Sequence, residues 1–210
     1  MRPGSRSRGA HARRRGVASA AAVVVALLLA GCSDAISPPG ASDVVVDSPQ
    51  ARAIKAEAGI VDCAPGEGGG GLPDLTLPCL GGGTDVDLAS LTGPLVVNLW
   101  ASNCGPCRRE MPVLQDFYEQ YGDSVGVLGI DMENYPEAAL AFARDTGATY
   151  PQLADPGGEL VSQDDVRIGI GLPQTILLDA GGDVVHQRAG ELDDVAEIVA
   201  LLAEHAGVDL

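Results

Sequence analysis

Residues 95–110 read Leu95-Val96-Val97-Asn98-Leu99-Trp100-Ala101-Ser102-Asn103-Cys104-Gly105-Pro106-Cys107-Arg108-Arg109-Glu110. Pro94 opens an almost continuous apolar run of strand length, the pattern of a strand buried on both faces. A Cys-x-x-Cys pair follows at once, and from Cys107 onward Met111, Leu114, Phe117, Tyr118 and Tyr121 recur at helical spacing, with Gly122 as the stop. A buried strand therefore delivers two thiols to a helix start, an arrangement suited to redox chemistry. Pro112 lies inside the helical pattern and is expected to bend it.

Beyond this stretch the pattern alternates. Residues 125–130 form a second buried strand, and 138–143 lie in a helix opened by Pro136 and closed by Gly147. A short helix is expected over 160–166. Residues 169–179, Gly169-Ile170-Gly171-Leu172-Pro173-Gln174-Thr175-Ile176-Leu177-Leu178-Asp179, read as a strand whose entry contains a proline, and Gly181-Gly182 turns it back through 183–188 as an antiparallel hairpin. Leu192, Val195, Ile198, Val199 and Leu202 line one face of a last helix. Leu72, Leu75, Leu77, Val86 and Leu88 around Gly81-Gly82-Gly83 suggest an additional hairpin ahead of these elements. The order implies an α/β domain with a mixed central sheet flanked by helices and an extra N-terminal β-hairpin.

The N-terminal part has a different character. Residues 1–16 carry six arginines and no acid, residues 17–29 are almost wholly Ala, Val and Leu, and Leu29-Ala30-Gly31-Cys32 ends the run. This is a basic leader with an apolar core too short to span a bilayer comfortably. The ending looks like a lipobox, in which Cys32 is acylated, although an ordinary signal peptide with an incidental Cys32 fits the same residues. Two acyl chains hold a protein to a membrane where one does not. Residues 1–31 are thus expected to be a signal peptide, 32–62 a flexible Ser/Pro/Ala/Gly-rich tether, and 63–210 the folded domain. Without its leader the chain keeps seven basic against 29 acidic side chains, a net charge of −22. Such a charge argues against nucleic acid and against basic-patch docking on anionic lipid.

Cys32 aside, four cysteines remain. Cys63 and Cys79 bracket Gly68-Gly69-Gly70-Gly71, and a structural disulfide closing that loop would contribute about 3 kcal/mol on chain-entropy grounds. A second redox pair or two free thiols are the alternatives. The spacing does not suit a zinc ribbon, and no metal is expected. Cys104 sits just before the helix, where orphan N–H groups and the helix dipole favour a thiolate; Cys107, one turn on, can reach it. Arg108 directly after Cys107 excludes a Cys-x-x-Cys-His haem attachment site, and no Pro-x-x-x-Thr-x-x-Cys peroxidase pattern precedes Cys104. Arg108 and Arg109 read as surface residues, and His186 and His205 as solvated ones.

The lipobox, the run into Asn98-Leu99-Trp100-Ala101-Ser102-Asn103-Cys104-Gly105-Pro106-Cys107, the continuation through Glu110-Met111-Pro112 and the later Gly171-Leu172-Pro173-Gln174-Thr175 together resemble the TlpA/ResA-like branch of membrane-anchored thioredoxin-fold proteins. The resemblance spans Leu72 to the C-terminus. It implies a thioredoxin fold and an extracytoplasmic thiol–disulfide oxidoreductase that needs no cofactor beyond the Cys104–Cys107 disulfide. Cys104 would attack and Cys107 resolve. Glu110 would manage the Cys107 proton, although a solvated first-turn acid fits its position too. Pro173 would be a cis-proline exposing the Leu172 backbone to substrate, where an ordinary trans proline is the alternative. Trp100, Asn103, Gly105, Pro106 and Leu172 would form the substrate-facing surface. The implied partners are protein thiols and disulfides and a membrane thiol shuttle, with apocytochrome c reduction as the family role and a monomer as the working unit. A dithiol oxidase would use the same residues in reverse, and a non-enzymatic binding module would keep the fold without needing the dithiol. Asn103 departs from the aromatic residue common there in the family. Asn98 stands where cytoplasmic thioredoxins carry a buried acid, which makes Glu110 the better proton-handling candidate.

Overall fold

The computed structural model describes residues 40–210 except Asp165 and Ile170; the leader and Cys32 lie outside them. At its centre is a five-stranded sheet, order β5-β4-β3-β6-β7. Its members are β3 (Leu95–Trp100), β4 (Gly126–Asp131), β5 (Gln152–Ala154), β6 (Gln174–Leu178) and β7 (Val184–Ala189). β3, β4 and β5 run parallel, while β6 and β7 are antiparallel to their neighbours. Four helices accompany them: α1 (Pro49–Ala58), α2 (Gly105–Tyr121), α3 (Pro136–Thr146) and α4 (Val195–Leu201), the last continuing as a π turn, Leu202–Ala206. The expected N-terminal hairpin is a separate two-stranded sheet of β1 (Thr76–Leu77) and β2 (Val86–Asp87).

The crossovers β3–α2–β4 and β4–α3–β5 step the same way across the sheet. Right-handed connections then place both helices on the same face. That face carries one core, in which Val96 and Trp100 meet Leu114 and Phe117 of α2, Leu140 of α3 and Ile198 of α4. Val97 and Leu99 point the other way, into a second core closed by Leu77, Leu88, Leu160 and Val166. All six residues of β3 are buried, as its unbroken apolar run requires. α2 is continuous across Pro112.

Two expectations need correction. Residues 43–62 are not a free tether: Ser48 caps α1 by accepting the Ala51 N–H at 3.1 Å and itself donates to Glu137 Oε1 at 2.6 Å. Val46, Ala51 and Ile60 are buried in the helix-side core, and Gly59 ends α1 in the left-handed conformation, φ 69°. The contacts are made by small or widely spaced apolar residues, which is why composition alone reads as linker. The helix expected over 160–166 is only a 3-10 turn, Glu159–Ser162, whose first N–H groups bond Asp155.

Because Ser48 serves both as cap and as a bridge to α3, Ser48→Ala is expected to lower unfolding free energy by about 1 kcal/mol. Urea denaturation measures this, and an unchanged midpoint would show that the arm does not share in the cooperative fold.

Candidate active site at the Cys104–Cys107 disulfide

β3 ends at Trp100 and the chain turns, the Cys104 N–H donating to the Ala101 carbonyl at 3.2 Å. Cys104 is the N-cap of α2, and its Sγ accepts the Cys107 N–H at 3.2 Å. A sulfur therefore occupies the place of a capping oxygen, at the positive end of the helix dipole. Cys104 and Cys107 are bonded, with Cα atoms 5.3 Å apart. Cys104 is half-buried and Cys107 buried, so an incoming group meets Cys104 first.

The second wall comes from β6. Its antiparallel register pairs Leu99 with Gln174, which carries residues 172–173 past the end of β3 to the dithiol. The Leu172 carbonyl lies 3.4 Å from Cys104 Sγ, and the Leu172–Pro173 bond is cis. Gln174 Nε2 donates to the Gly171 carbonyl at 2.7 Å, holding this loop where Gly171 takes φ 97°.

Glu110 lies on the inward face of α2, one turn beyond Cys107. It is not a solvated first-turn acid: only 1% of it is exposed. Its Oε2 accepts Asn98 Nδ2 at 3.0 Å and its Oε1 the Leu192 N–H at 3.2 Å. Burial pushes its carboxyl up to about 7, against the opposing pull of those two hydrogen bonds.

Trp100 does not face substrate. It is fully buried, stacks at a tilt on Phe142 and donates from Nε1 to Gln152 Oε1 at 2.9 Å. An indole at the last position of a strand buried on both faces has no route to the surface. Asn103 and Gly105 are exposed, and Pro106 and Leu172 half-buried. Arg108 is anchored, with Nη1 donating to the Ser102 carbonyl at 3.1 Å and its guanidinium carbon 4.3 Å from the centre of the Phe142 ring. Arg109 pairs with Glu191 at 2.6 Å. His186 and His205 stack on one another at 4.0 Å, both half-buried, because β7 and the π turn bring them together from distant parts of the chain.

Sequence reading missed the acids behind the loop. Ser102 Oγ donates to Glu133 Oε2 at 3.0 Å, and the Glu133 N–H donates to Asp131 Oδ1 at 3.2 Å. Burial first, and Glu133 second, hold the Asp131 carboxyl well above the usual carboxylate range. The available signal was an acid directly after the buried run 125–130. Among the described residues no three His, Cys, Asp or Glu side chains are placed to hold a metal, and no helix is long and apolar enough to cross a membrane. Cys63 and Cys79 are bonded, with Cα atoms 5.8 Å apart.

A mixed sheet with a Cys-x-x-Cys disulfide at a helix N-terminus and a cis-proline loop beside it defines a thioredoxin-fold domain. The chain belongs to the AhpC/TSA family, whose profile matches residues 69–187. Over 113 residues it is 34% identical to the thiol:disulfide interchange protein HelX of Rhodobacter capsulatus, covering 53% of this chain and 60% of that protein. Over 129 residues it is 30% identical to the thiol-disulfide oxidoreductase ResA of Halalkalibacterium halodurans, covering 59% and 71% respectively. A crystal structure of a thio-disulfide isomerase from Thermus thermophilus superposes with a TM-score of 0.53 at 31% identity, covering 70% of this chain and 100% of that one. The chain spans about 60% of the length of the first of these relatives.

The Glu110 environment predicts a pH signature. Between pH 4.5, the ordinary carboxyl value, and about 7 the folded protein holds a proton that the unfolded chain has released. The resulting stabilisation is full below the lower value and is lost as pH rises through the upper one. The unfolding free energy of the wild type minus that of Glu110→Gln should therefore fall by about 3 kcal/mol across this window. A difference that does not vary with pH would contradict the buried-acid assignment.

Proposed function

We propose that this chain is an extracytoplasmic thiol–disulfide oxidoreductase that reduces disulfides in protein substrates. The observation that carries the reading is the half-buried Cys104 sulfur on the N-cap of α2, with the Leu172 carbonyl 3.4 Å away. A thiolate there is stabilised by the helix terminus, and the adjacent carbonyl is a ready acceptor for the N–H of an extended substrate strand.

In the reducing direction the Cys104 thiolate attacks a substrate disulfide, forming a mixed disulfide and expelling one substrate thiolate. Cys107 then loses its proton and attacks Cys104 Sγ, expelling the second. Two electrons pass to the substrate and the Cys104–Cys107 disulfide remains. Glu110, buried on the same helix face as Cys107 and titrating near 7, is suited to accept the Cys107 proton. Pro173 positions Leu172, while Asn103, Gly105 and Pro106 supply the surface around the attacking sulfur. Recycling requires a dithiol donor, which outside the cytoplasm means electrons passed across the membrane by a thiol shuttle. Acylation of Cys32 would keep a monomeric domain beside that shuttle. Apocytochrome c disulfides are the substrate class that the family resemblance favours. Gly105-Pro106 between the cysteines, the dipeptide of thioredoxin, supports the reducing direction.

Cys107→Ser should strand the mixed disulfide on Cys104, visible as a mass adduct that dithiothreitol removes, whereas Cys104→Ser should form none. Equilibration of the Cys104/Cys107 couple with glutathione or dithiothreitol tests direction: a potential near about −270 mV fits a reductase, and one near about −120 mV would make the chain an oxidase.

A further inference from the structure

The other disulfide has an uneven setting. Lys55 Nζ lies 3.3 Å from Cys79 Sγ, and the Cys63 N–H donates to the same sulfur at 3.3 Å. Cys63 Sγ instead faces an acceptor, the Gln152 carbonyl, at 3.2 Å. Both cysteines are buried, at 5% and 1% exposure. A disulfide with a purely mechanical role calls for apolar surroundings, which raise thiol pKa values. Here a buried ammonium and a backbone donor converge on one sulfur, and a carbonyl disfavours charge on the other.

Lys55 is not fully engaged elsewhere. It donates to the Gly82 carbonyl at 2.6 Å and to Asp62 Oδ1 at 2.9 Å, but the Asp62 side chain is 84% exposed and its charge is screened by water. A cleft of about 610 Å³ opens beside it, lined by Asp47, Arg52, Lys55, Asp62 and the glycines at 81–83. Arg52 and Asp47 pair with each other, so Lys55 is the cation that faces the sulfur. Gly83 packs closely on this pair, since a Cβ there would stand 3.1 Å from Cys79 Sγ and 3.4 Å from Lys55 Nζ.

We propose that Cys63–Cys79 is a second exchangeable disulfide, reduced by a small dithiol and poised by Lys55. A thiolate of the reductant attacks Cys63 Sγ, the S–S bond breaks, and Cys79 leaves as a thiolate beside the Lys55 ammonium. The reductant's second thiol then attacks its own sulfur in the mixed disulfide, closes the ring and expels Cys63, which takes up the proton that second thiol gives up. Two electrons enter the protein, and the small dithiol becomes a cyclic disulfide. Stabilising the reduced form makes the pair easier to reduce than a bond buried in apolar surroundings.

The test equilibrates the full chain with dithiothreitol at graded ratios of reduced to oxidised reagent. Differential alkylation and peptide mass spectrometry then follow the Cys63/Cys79 and Cys104/Cys107 pairs separately. Lys55→Met should lower the equilibrium constant for Cys63–Cys79 reduction at least tenfold, Lys55→Arg should restore it to within about threefold, and the Cys104–Cys107 couple should not move. An unchanged constant in Lys55→Met overturns the proposal. Should Lys55→Met not fold, a Cys32→Ala, Cys63→Ala chain with Cys104–Cys107 oxidised decides through thiolate absorbance at 240 nm. Titration of Cys79 below the ordinary thiol value of about 8.5 supports the proposal, and titration at or above it overturns it.

Discussion

β3 has covered neighbours on both sides and cores on both faces, so every side chain it carries must be satisfied inside the protein. Five of its six residues are Leu, Val or Trp, and the Trp100 N–H finds Gln152. The sixth, Asn98, is 1% exposed, and its amide finds the Glu110 carboxyl at 3.0 Å. A buried amide left without a partner costs about 1–3 kcal/mol, which fixes how α2 is turned about its axis. With Glu110 inward, Cys107 one turn earlier is also inward, and Cys104 is left at the cap where it meets solvent. The difference in exposure between the two sulfurs thus follows from a hydrogen bond between the strand and the helix. Glu110 Oε1 extends the link to the Leu192 N–H, so the sheet, α2 and the entry to α4 share one buried network.

How much of this could be read from residues alone depended on how local the cause was. The central strand, the helix after the dithiol and the β6–β7 hairpin follow from unbroken or periodic apolar runs, and they appear where those runs place them. Glu110 could be singled out by its spacing from Cys107, and Asn98 by its position in the strand. That the two bond each other depends on the packing of α2 onto β3, which no local pattern encodes. Trp100 looked substrate-facing because it adjoins the motif, but the two-sided burial of its strand outweighs adjacency. The α1 arm looked like linker because Ala51 offers so little apolar surface, yet a side chain that small lets α1 approach α3 closely. His186 and His205 meet only because the π turn returns to β7.

Net charge and local electrostatics act on different scales here. The domain is strongly acidic, yet three of its carboxyls, Glu110, Asp131 and Asp155, are pushed upward mainly by burial. In each case burial favours the uncharged carboxyl, which works against the self-repulsion of so acidic a domain. Asp155 is compensated by N–H groups from Glu159 and Leu160. Asp131 accepts a single N–H, from Glu133 at 3.2 Å, and the neighbouring Glu133 charge adds to burial in raising it.

The two disulfides use one principle with different hardware. Each gives one of its sulfurs N–H donors that stabilise a thiolate: Cys104 through the open N-terminus of α2, Cys79 through Lys55 and the Cys63 amide. What separates them is access. Cys104 stands half-buried with the Leu172 carbonyl 3.4 Å away, the setting from which a polypeptide substrate is proposed. Cys63 and Cys79 are buried, at 5% and 1% exposure, with Gly83 packed against the Cys79 sulfur. Burial of both sulfurs leaves no room for an extended chain beside them, so the proposed partner is a small thiol. The electrostatic setting of each sulfur therefore decides which leaves as an anion, and the shape of its surroundings decides the size of the partner.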